Sequence, residues 1–284
     1  MATEHVIRVL PTDSPGLVRT AESRVDERWL RAFAAAVGDT RDEFFDLDRG
    51  IVGHPVFPVC VEWPLIEQGA PGIELSEDTL RLGLHVGHRI RLRSPLRPGE
   101  RVRTEARLHR AEARTGAALI VTEFRTTTPG GTLLVTSQVS TLYRGVRLEG
   151  GEIVVPSPKP RSVELSRIAT FETDTANAVV YSECARIWNP IHTDIRVARA
   201  AGLADTVLHG TETLARAVSA VTRAYPGADV TGVDCRFTNP VFPGMTLSVH
   251  AGRTRSAAVA FDVRAADGTP VLADGLLAFA AESS

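Results

Sequence analysis

Residues 188–194 of the chain read Trp-Asn-Pro-Ile-His-Thr-Asp, and residues 209–210 read His-Gly. The Asn-Pro step is expected to end one helix, because proline disfavours the helical conformation in the residue before it. The His-Gly pair stands just before a second helical pattern, which runs from Thr213 to Tyr225. If the two ends meet in the fold, His192 faces a cluster of backbone N–H donors, which suits proton transfer beside an enolate or oxyanion.

This pattern resembles the signature of the MaoC-like, (R)-specific enoyl-thioester hydratases and dehydratases. That signature reads roughly Gly-Asp-x-Asn-Pro-(Leu/Ile)-His, then a short acidic helix, then (Ile/Val)-(Leu/Val)-His-Gly. The residues in step with it are Asn189, Pro190, Ile191, His192, Asp194, Ala198, Gly202, Val207, Leu208, His209 and Gly210. Residues 236–244 also look like the strand-turn-strand phrase that follows the central helix in those proteins, so the resemblance covers most of residues 164–284.

One position departs from the signature. Two residues before Asn189, where the family places its catalytic aspartate, this chain has Ile187, and the preceding glycine position holds Arg186. An isoleucine side chain forms no hydrogen bonds and cannot hold or orient a water molecule. The residue that would replace the aspartate in catalysis is therefore an open question at this stage.

Three other carboxylates are candidates for that replacement, namely Glu183, Asp194 and Asp39. Helical spacing favours Glu183, because residues four apart, such as Glu183 and Ile187, are neighbours on a helix surface. Asp194 is expected instead to cap the short helix that runs up to Gly202. Asp39 belongs to the other half of the chain and would have to cross between two pockets.

The resemblance implies roles for the residues around the motif. His192 is expected to accept or return a proton, although a histidine satisfied by a neighbouring backbone group is the alternative. Asn189 is expected to orient a water or the imidazole, and it also suits an Asx turn before proline. The Gly210 N–H is expected to bind the thioester carbonyl, unless the glycine serves only the packing of the helix start. The other candidates for substrate contact are His209, which is also expected to bond the loop, Ile187 and Trp188.

The chain repeats itself weakly. Residues 93–99 (Arg-Ser-Pro-Leu-Arg-Pro-Gly) match residues 238–244 (Thr-Asn-Pro-Val-Phe-Pro-Gly), with both prolines and the glycine offset by 145 residues. Each segment is followed by an alternating strand pattern and then by a hairpin signal, at residues 129–131 in one copy and 267–268 in the other. Two copies of one fold are implied.

We expect the two copies to be residues 1–150 and 164–284, joined by a Pro-rich connector at residues 151–163. Helical patterns from Val25 to Val37 and from Leu214 to Tyr225 give the same spacing in the two copies. Each copy thus combines helices with long antiparallel strands, an α+β class, and the resemblance implies a double hot-dog fold. In two-copy members of that family the second copy carries catalysis and the first shapes an acyl pocket.

The first copy carries a degenerate form of the motif. Gly38-Asp39 stands where the signature has Gly-Asp, but Phe44 replaces the histidine, and Pro58-Val59 lies near the His-Gly position. The apolar segment at residues 55–64 either lines an acyl tunnel or forms core.

Composition narrows the class of protein. A net charge of −2 over 284 residues argues against nucleic-acid binding and against attraction to a membrane surface. Cys60, Cys184 and Cys235 are far apart and form no Cys-x-x-Cys pair, which favours neither a disulfide framework nor a zinc site. No apolar run approaches the roughly 20 residues that span a bilayer. We therefore expect a soluble, cytoplasmic protein.

These features predict an enzyme that adds water to, or removes it from, an enoyl or 3-hydroxyacyl thioester. Coenzyme A or an acyl carrier protein would carry the acyl group, so the phosphopantetheine is part of the substrate and no metal or separate cofactor is expected. Ile187 leaves two alternatives open: a protein that only binds acyl thioesters, and an enzyme that catalyses a different addition or cyclisation. A homodimer of double hot-dogs is also left open.

Overall fold

The structure is a computed structural model that describes residues 5–150, 152–153, 163–227, 229–255 and 258–280. The elements of the first half are β1 (His5–Val9), β2 (Val18–Arg24), α1 (Glu27–Ala36), α2 (Asp42–Phe45), α3 (Pro58–Ile66), β3 (Ile73–Glu74), α4 (Glu77–Arg81), β4 (Gly83–Leu92), β5 (Arg101–Arg114), β6 (Ala117–Thr127), β7 (Leu133–Arg144), β8 (Val146–Glu149) and β9 (Glu152–Ile153). The elements of the second half are β10 (Ser166–Glu172), α5 (Thr175–Ala185), a 3₁₀ turn (Pro190–His192), α6 (Ile195–Ala200), α7 (Gly210–Ala224), β11 (Val230–Phe237), β12 (Thr246–Arg253), β13 (Val259–Ala265) and β14 (Pro270–Phe279).

One large sheet runs through both halves. Its strand order is β10-β12-β13-β14-β11-β4-β7-β6-β5-β2, with β9 paired to β5, and β11 and β4 form the antiparallel joint between the halves. The helices cover one face, as in two hot-dog units set side by side. The α+β double hot-dog predicted from the sequence is therefore the observed fold. A small separate sheet of β3, β1 and β8 lies beside the first half.

The joint between the halves is symmetric. Strands β4 and β11 pair with Arg89 opposite Asp234, Arg91 opposite Gly232 and Gly87 opposite Arg236. Arg89 and Asp234 are 145 residues apart, the same offset as the repeated Pro-Gly segments, so Arg89 lies opposite its own equivalent in the repeat. The other paired residues of β4 also have their equivalents 145 positions later, in β11. The sequence repeat is therefore a structural repeat about this pair. Arg91 also binds the Asp234 carboxylate through two hydrogen bonds of 2.8 and 2.9 Å.

Both predicted hairpins form. The β6–β7 connection closes through the Gly131 N–H and the Thr128 carbonyl, and the β13–β14 connection through the Gly268 N–H and the Ala265 carbonyl, each at 2.9 Å. Gly131 and Gly268 have φ angles of +85° and +86°. Glycine suits both positions because the left-handed region is unfavourable for residues with a Cβ atom.

The predicted correspondence between helices is wrong. The pattern from Val25 to Val37 does form a helix, α1, but this helix packs against α5 rather than taking the place of α7. The counterpart of α7 is α3, because α3 packs on β2 and β5 as α7 packs on β10 and β12. The apolar segment at residues 55–64 is thus mostly the central helix of the first half. Its buried, apolar surroundings explain why it carries no amphipathic pattern.

The two halves share one apolar core. A single cluster of buried side chains includes Phe33 and Phe57 from the first half and Tyr181 and Leu214 from the second. The rings of Phe33 and Tyr181 lie 5.7 Å apart across the boundary between α1 and α5. The predicted connector, residues 151–163, lies almost wholly outside the described residues, so that boundary stays a prediction. Among the described residues, no helix is long and apolar enough to cross a bilayer.

Candidate active site

The end of helix α5 directs the chain into the site. Arg186 adopts a left-handed conformation with φ of 58°, and the Ile187 N–H donates to the Ser182 carbonyl at 3.0 Å. This arrangement closes a helix C-terminus and turns the chain away from the helix axis. Ile187 then enters the core with 3% of its surface exposed, whereas Glu183 remains on the exposed side of α5. The prediction that Glu183 shares a helical face with Ile187 is therefore wrong, because the helix ends between them.

Asn189 forms the predicted Asx turn. Its side-chain Oδ1 accepts the Ile191 N–H at 3.3 Å and begins the 3₁₀ turn that carries His192. The turn uses only the carbonyl side of the amide. Within the described residues Nδ2 of Asn189 has no acceptor, so the amide N–H groups remain free to bind a water or a substrate oxygen.

His192 is held in one tautomer. Its Nδ1 lies 2.7 Å from the Val207 carbonyl. Since a carbonyl can only accept, Nδ1 carries the proton and Nε2 keeps its lone pair. Burial lowers the pKa of His192 to about 4, against the opposing effect of the Val207 hydrogen bond. The imidazole is therefore neutral at pH 7, with the accepting nitrogen unoccupied.

His209 lies directly against His192. The two rings stack with their centroids 3.6 Å apart and their planes inclined by 26°. His209 Nε2 lies 3.3 Å from the Ser182 hydroxyl, and its ring also contacts Tyr181 at 4.9 Å. Burial, together with the nearby His192, keeps the pKa of His209 well below its usual value. His209 is thus a buried neutral ring that supports the loop and packs behind His192. The two ends of the motif, which the sequence allowed to meet, are in contact through these histidines.

Gly210 is the first residue of α7, and His209 is the N-cap. The Gly210 N–H has no acceptor in the part of the chain that the structure describes, as expected for the first turn of a helix. A Cβ atom built at Gly210 would lie 3.0 Å from the Phe237 ring. The glycine therefore permits close packing on Phe237 and leaves a helix-terminal N–H without an acceptor. Its role in binding the thioester carbonyl stays a prediction.

Gly210→Ala is expected to lower the melting temperature and to reduce turnover together, because the new methyl group would push the start of α7 away from Phe237. Overpacked sites of this kind typically lose about 1–3 kcal/mol of stability. Circular dichroism on heating measures the first effect. In a Phe237→Leu background, where the obstructing ring is absent, the same glycine substitution should have a smaller effect on stability. Equal losses in both backgrounds would contradict the packing explanation.

Asp194 and Asp39 are bound elsewhere. The Asp194 side chain caps α6 through the Arg196 N–H at 2.9 Å and pairs with the Arg196 guanidinium at 2.6 Å, as a helix cap was predicted to do. Hydrogen bonds from Arg196 lower the pKa of Asp194 to about 2. Asp39 is fully buried in the first half and pairs with Arg41 at 2.6 Å and Arg223 at 3.4 Å. Neither carboxylate contacts His192.

Glu212 is a buried carboxylate that the sequence did not single out. It lies in the first turn of α7, and its Oε1 accepts two hydrogen bonds from Arg216, at 3.1 and 2.9 Å. Its Oε2 has no partner among the described residues. Burial raises the pKa of Glu212 to about 7, although Arg216 acts to lower it. An acidic residue in a first helical turn normally interacts favourably with the helix dipole at the surface, so nothing in the sequence indicates that Glu212 is buried.

Trp188 lies at the surface beside this site, with 53% of its area exposed. It therefore has room to contact a ligand, and its role in substrate binding stays a prediction. No group of three or more His, Cys, Asp or Glu side chains that could hold a metal ion is found in the described ranges.

Comparisons with known proteins agree with the fold and the motif. Residues 158–271 match the family described as MaoC like domain, and residues 17–140 match the FAS1-like dehydratase domain region. Enoyl-CoA hydratase ChsH3 of Mycobacterium tuberculosis is 31% identical over 221 residues, which cover 74% of this chain and 72% of that protein. The 3-hydroxyacyl-thioester dehydratase Y of the same organism is 31% identical over 215 residues, 70% of this chain and 73% of that protein.

Solved structures show the same architecture. A MaoC-like dehydratase from Phytophthora capsici superposes with a TM-score of 0.83 at 19% identity, covering 94% of this chain and 96% of that one. A Mycobacterium tuberculosis protein described as having a double hotdog fold superposes with a TM-score of 0.65 at 15% identity, covering 93% and 95%. At these identities the likeness concerns the fold.

Proposed function

The chain belongs to the MaoC-like dehydratase family, and from that premise we propose that it hydrates an enoyl thioester or dehydrates a 3-hydroxyacyl thioester. The similarity to named hydratases and dehydratases of acyl thioesters supports the reaction class. One observation supports this proposal most strongly. A neutral His192, whose Nε2 lone pair is free, lies beside the helix start at Gly210. Coenzyme A or an acyl carrier protein would supply the thioester. No metal or further cofactor takes part in this proposal.

In the hydration direction, His192 Nε2 accepts a proton from water while the water oxygen bonds to C3 of the enoyl group. The electrons of the C2–C3 double bond move to the thioester oxygen, where the Gly210 N–H and the positive end of α7 stabilise the enolate charge. The imidazolium then returns the proton to C2 as the carbonyl re-forms. Asn189 Nδ2 would hold the attacking water. The steps add one water in total, and dehydration is the reverse.

The low pKa of His192 fits this cycle. The basic form is fully populated at neutral pH, so no proton has to leave before the reaction begins. A buried imidazolium is unfavourable alone, but here it forms beside a developing enolate, and opposite charges within a few ångströms stabilise each other. The proton therefore has a strong tendency to return to the substrate.

The test is direct. Pure protein mixed with a trans-2-enoyl-CoA should remove the conjugated enoyl-thioester absorbance and form the 3-hydroxyacyl product, which mass spectrometry identifies by the gain of one water. A panel of short, medium and long acyl chains on coenzyme A and on acyl carrier protein defines the substrate. Absence of turnover across the panel would overturn the proposal.

A second candidate function is favoured by one observation, the buried Ile187 in the aspartate position of the motif. A protein with the same pocket but no carboxylate there would bind an acyl thioester without hydrating it, or would catalyse a different addition. Tight binding of enoyl-CoA without turnover would identify this candidate.

Ile187→Asp is expected to raise hydration of a short enoyl thioester by about tenfold or more, because a carboxylate there could hold water beside the imidazole. The same change should lower the melting temperature, since a buried carboxylate is unfavourable without a partner. Ile187→Asn is the matched control, because asparagine is similar in shape to aspartate but cannot act as a base.

Glu183→Gln tests the remaining candidate carboxylate, and the exposed position of Glu183 predicts no loss of turnover. A large loss there would restore Glu183 as the substitute for the aspartate.

A further inference from the structure

A buried polar cluster lies in the first half of the molecule and takes no part in the mechanism above. We call it the Glu62 cluster; it consists of Glu62 on α3, His88 on β4 and Ser137 on β7, each at most 2% exposed. Glu62 Oε1 accepts a hydrogen bond from the Ser137 hydroxyl. Glu62 Oε2 and both ring nitrogens of His88 have no hydrogen-bond partner among the described residues, although Oε2 and His88 Nε2 are 3.8 Å apart. Three polar atoms are thus buried and unsatisfied in one place, which is destabilising and uncommon.

The second half shows that the fold does not need this cluster. The symmetric register of β4 and β11 makes Val233 the counterpart of His88. The matching helix starts at Pro58 and Gly210 make Leu214 the counterpart of Glu62. Both counterparts are fully buried apolar residues. The same position between helix and sheet is therefore satisfied by a leucine and a valine, and packing alone does not account for the polar pair.

A row of side chains connects the cluster to the candidate active site. The Phe237 ring lies against Gly210, and the His85 ring lies 4.9 Å from that of Phe237 and 5.3 Å from that of His88. A register shift in β4 between His85 and Gly87 allows His85 and His88 to share the helix-facing side of the sheet. The row follows the central strand pair from the helix start at Gly210 to the Glu62 cluster.

Charge limits what the cluster could bind. It contains no arginine or lysine, so a carboxylate on the ligand would lie beside Glu62 without a balancing cation. Burial raises the pKa of Glu62 to about 7, against the opposing hydrogen bond from Ser137. Burial and the nearby His85 keep the pKa of His88 well below its usual value. At neutral pH the cluster offers both hydrogen-bond donors and acceptors, which matches a hydroxyl or keto group.

We infer that the Glu62 cluster binds a hydroxyl or keto group carried on the acyl chain of the substrate, several carbons from the thioester. This inference rests on the proposed function for the position of the thioester at Gly210. The partnerless atoms of Glu62 and His88 would gain hydrogen bonds to that oxygen. A site built to hydrogen-bond a substrate group rejects the analogue that lacks it, because its own polar groups are then left unpaired. The enzyme would therefore favour oxygenated acyl chains over plain alkyl chains.

α3 has a weak point next to the cluster. Pro64 lies inside the helix and has no N–H to donate to the Cys60 carbonyl. The helix therefore lacks one backbone hydrogen bond alongside Glu62, so fewer bonds oppose a shift of α3 that would admit an acyl chain.

Binding of saturated acyl-CoA thioesters tests the inference without requiring turnover. Isothermal titration of the full chain compares octanoyl-CoA with octanoyl-CoA derivatives that carry a hydroxyl at C6, C7 or C8. At least one hydroxylated compound should bind about tenfold or more tightly than octanoyl-CoA. The double variant Glu62→Leu/His88→Val copies the residues of the second half, and it should bind the hydroxylated and plain compounds equally. Cooperative thermal unfolding confirms that the variant is folded.

Glu62→Gln keeps hydrogen-bonding capacity and should keep most of the preference, and it also serves if the double variant does not fold. Equal binding of all four compounds by the natural protein would overturn the inference, and so would a preference that survives in the double variant. The outcome is separable from the proposed function. A preference for hydroxylated chains without turnover of the matching enoyl thioesters would sink the hydratase proposal alone, whereas turnover without preference would sink only the polar subsite.

Discussion

His192→Ala is expected to lower kcat/KM for enoyl-thioester hydration by about 10²- to 10⁴-fold, the range usual for loss of a general acid-base group. We expect His209 not to take over the proton, because its ring is buried against the His192 ring and its Nε2 lies 3.3 Å from the Ser182 hydroxyl. The melting temperature at neutral pH should change little, since the neutral His192 has a single hydrogen bond, to Val207. Steady-state rates and circular dichroism on heating measure the two quantities.

His250→Ala is the matched control for this variant. His250 lies on β12 of the same half, where it is partly buried and its Nε2 lies 3.0 Å from the Ser248 hydroxyl. Its removal should leave kcat/KM unchanged. A His192→Ala protein that keeps its full rate would remove His192 from the mechanism, and a His250→Ala protein that loses rate equally would show that the loss is not specific to the site.

The same histidine gives the rate a defined pH dependence. Because the pKa of His192 is lowered to about 4, the basic form should persist from pH 8 down to pH 5, and kcat/KM should fall only as the pH approaches 4. An unperturbed imidazole would instead give a fall in kcat/KM near pH 6.5.

The free energy of unfolding is also expected to fall at acidic pH, because protonation of His192 is unfavourable in the folded chain. In the unfolded chain the imidazole binds a proton near pH 6.5, whereas in the folded chain it stays neutral down to about pH 4. The contribution of His192 to the free energy of unfolding is therefore complete above pH 6.5 and is lost as the pH falls towards 4. His54 and His85, with pKa values lowered by burial to about 3 and 4, add to this loss.

The sequence predicted the parts of the site that depend on local chain geometry. The Asx turn at Asn189, the cap at Asp194 and the meeting of His192 with His209 follow from residue types at fixed spacing, and all are present. The placement of Glu183 failed because one left-handed residue, Arg186, ends the helix before the spacing rule can operate. Arginine itself does not indicate this conformation, for which glycine is the usual residue. The one available signal was that the signature has a glycine where this chain has Arg186.

Other features of the site depend on burial, which distant residues decide. Glu212 and Glu62 are acidic residues on helices, and their sequence neighbours do not show that other elements enclose them completely. The sequence of residues 55–64 predicts only an apolar segment, of either tunnel or core, because a helix that is buried on most sides has no polar stripe to set its period. The offset of 145 residues was more informative. Applied to β4 and β11, it makes Val233 the counterpart of His88 in the repeat and so shows that the Glu62 cluster is an exception within the repeat.

Separate expression of residues 1–150 and 164–284 is expected to give two chains that do not fold alone. Cutting between the halves would expose β4 and β11 as unpaired edges in the middle of the sheet, and exposed edges of this kind favour aggregation. It would also open the shared core. Each large side chain that becomes exposed loses about 1.5–3 kcal/mol of burial, and a handful of these equals the roughly 5–15 kcal/mol by which a typical domain is stable.

Polar contacts across the boundary also predict that neither half folds alone. Arg216 donates to the Ala36 carbonyl at 3.3 Å, Arg223 donates to the Gly38 carbonyl at 2.7 Å, and His54 Nε2 lies 3.1 Å from the Ser219 hydroxyl. His54 and Ser219 are both buried, so each would lose its partner when the halves separate. Size-exclusion chromatography and urea unfolding measure the result, and co-expression of the two pieces is the control that should restore one soluble, cooperatively unfolding complex. If either piece alone proved monomeric with a cooperative unfolding transition, the two halves would be independent domains, and the shared core would not be needed for folding.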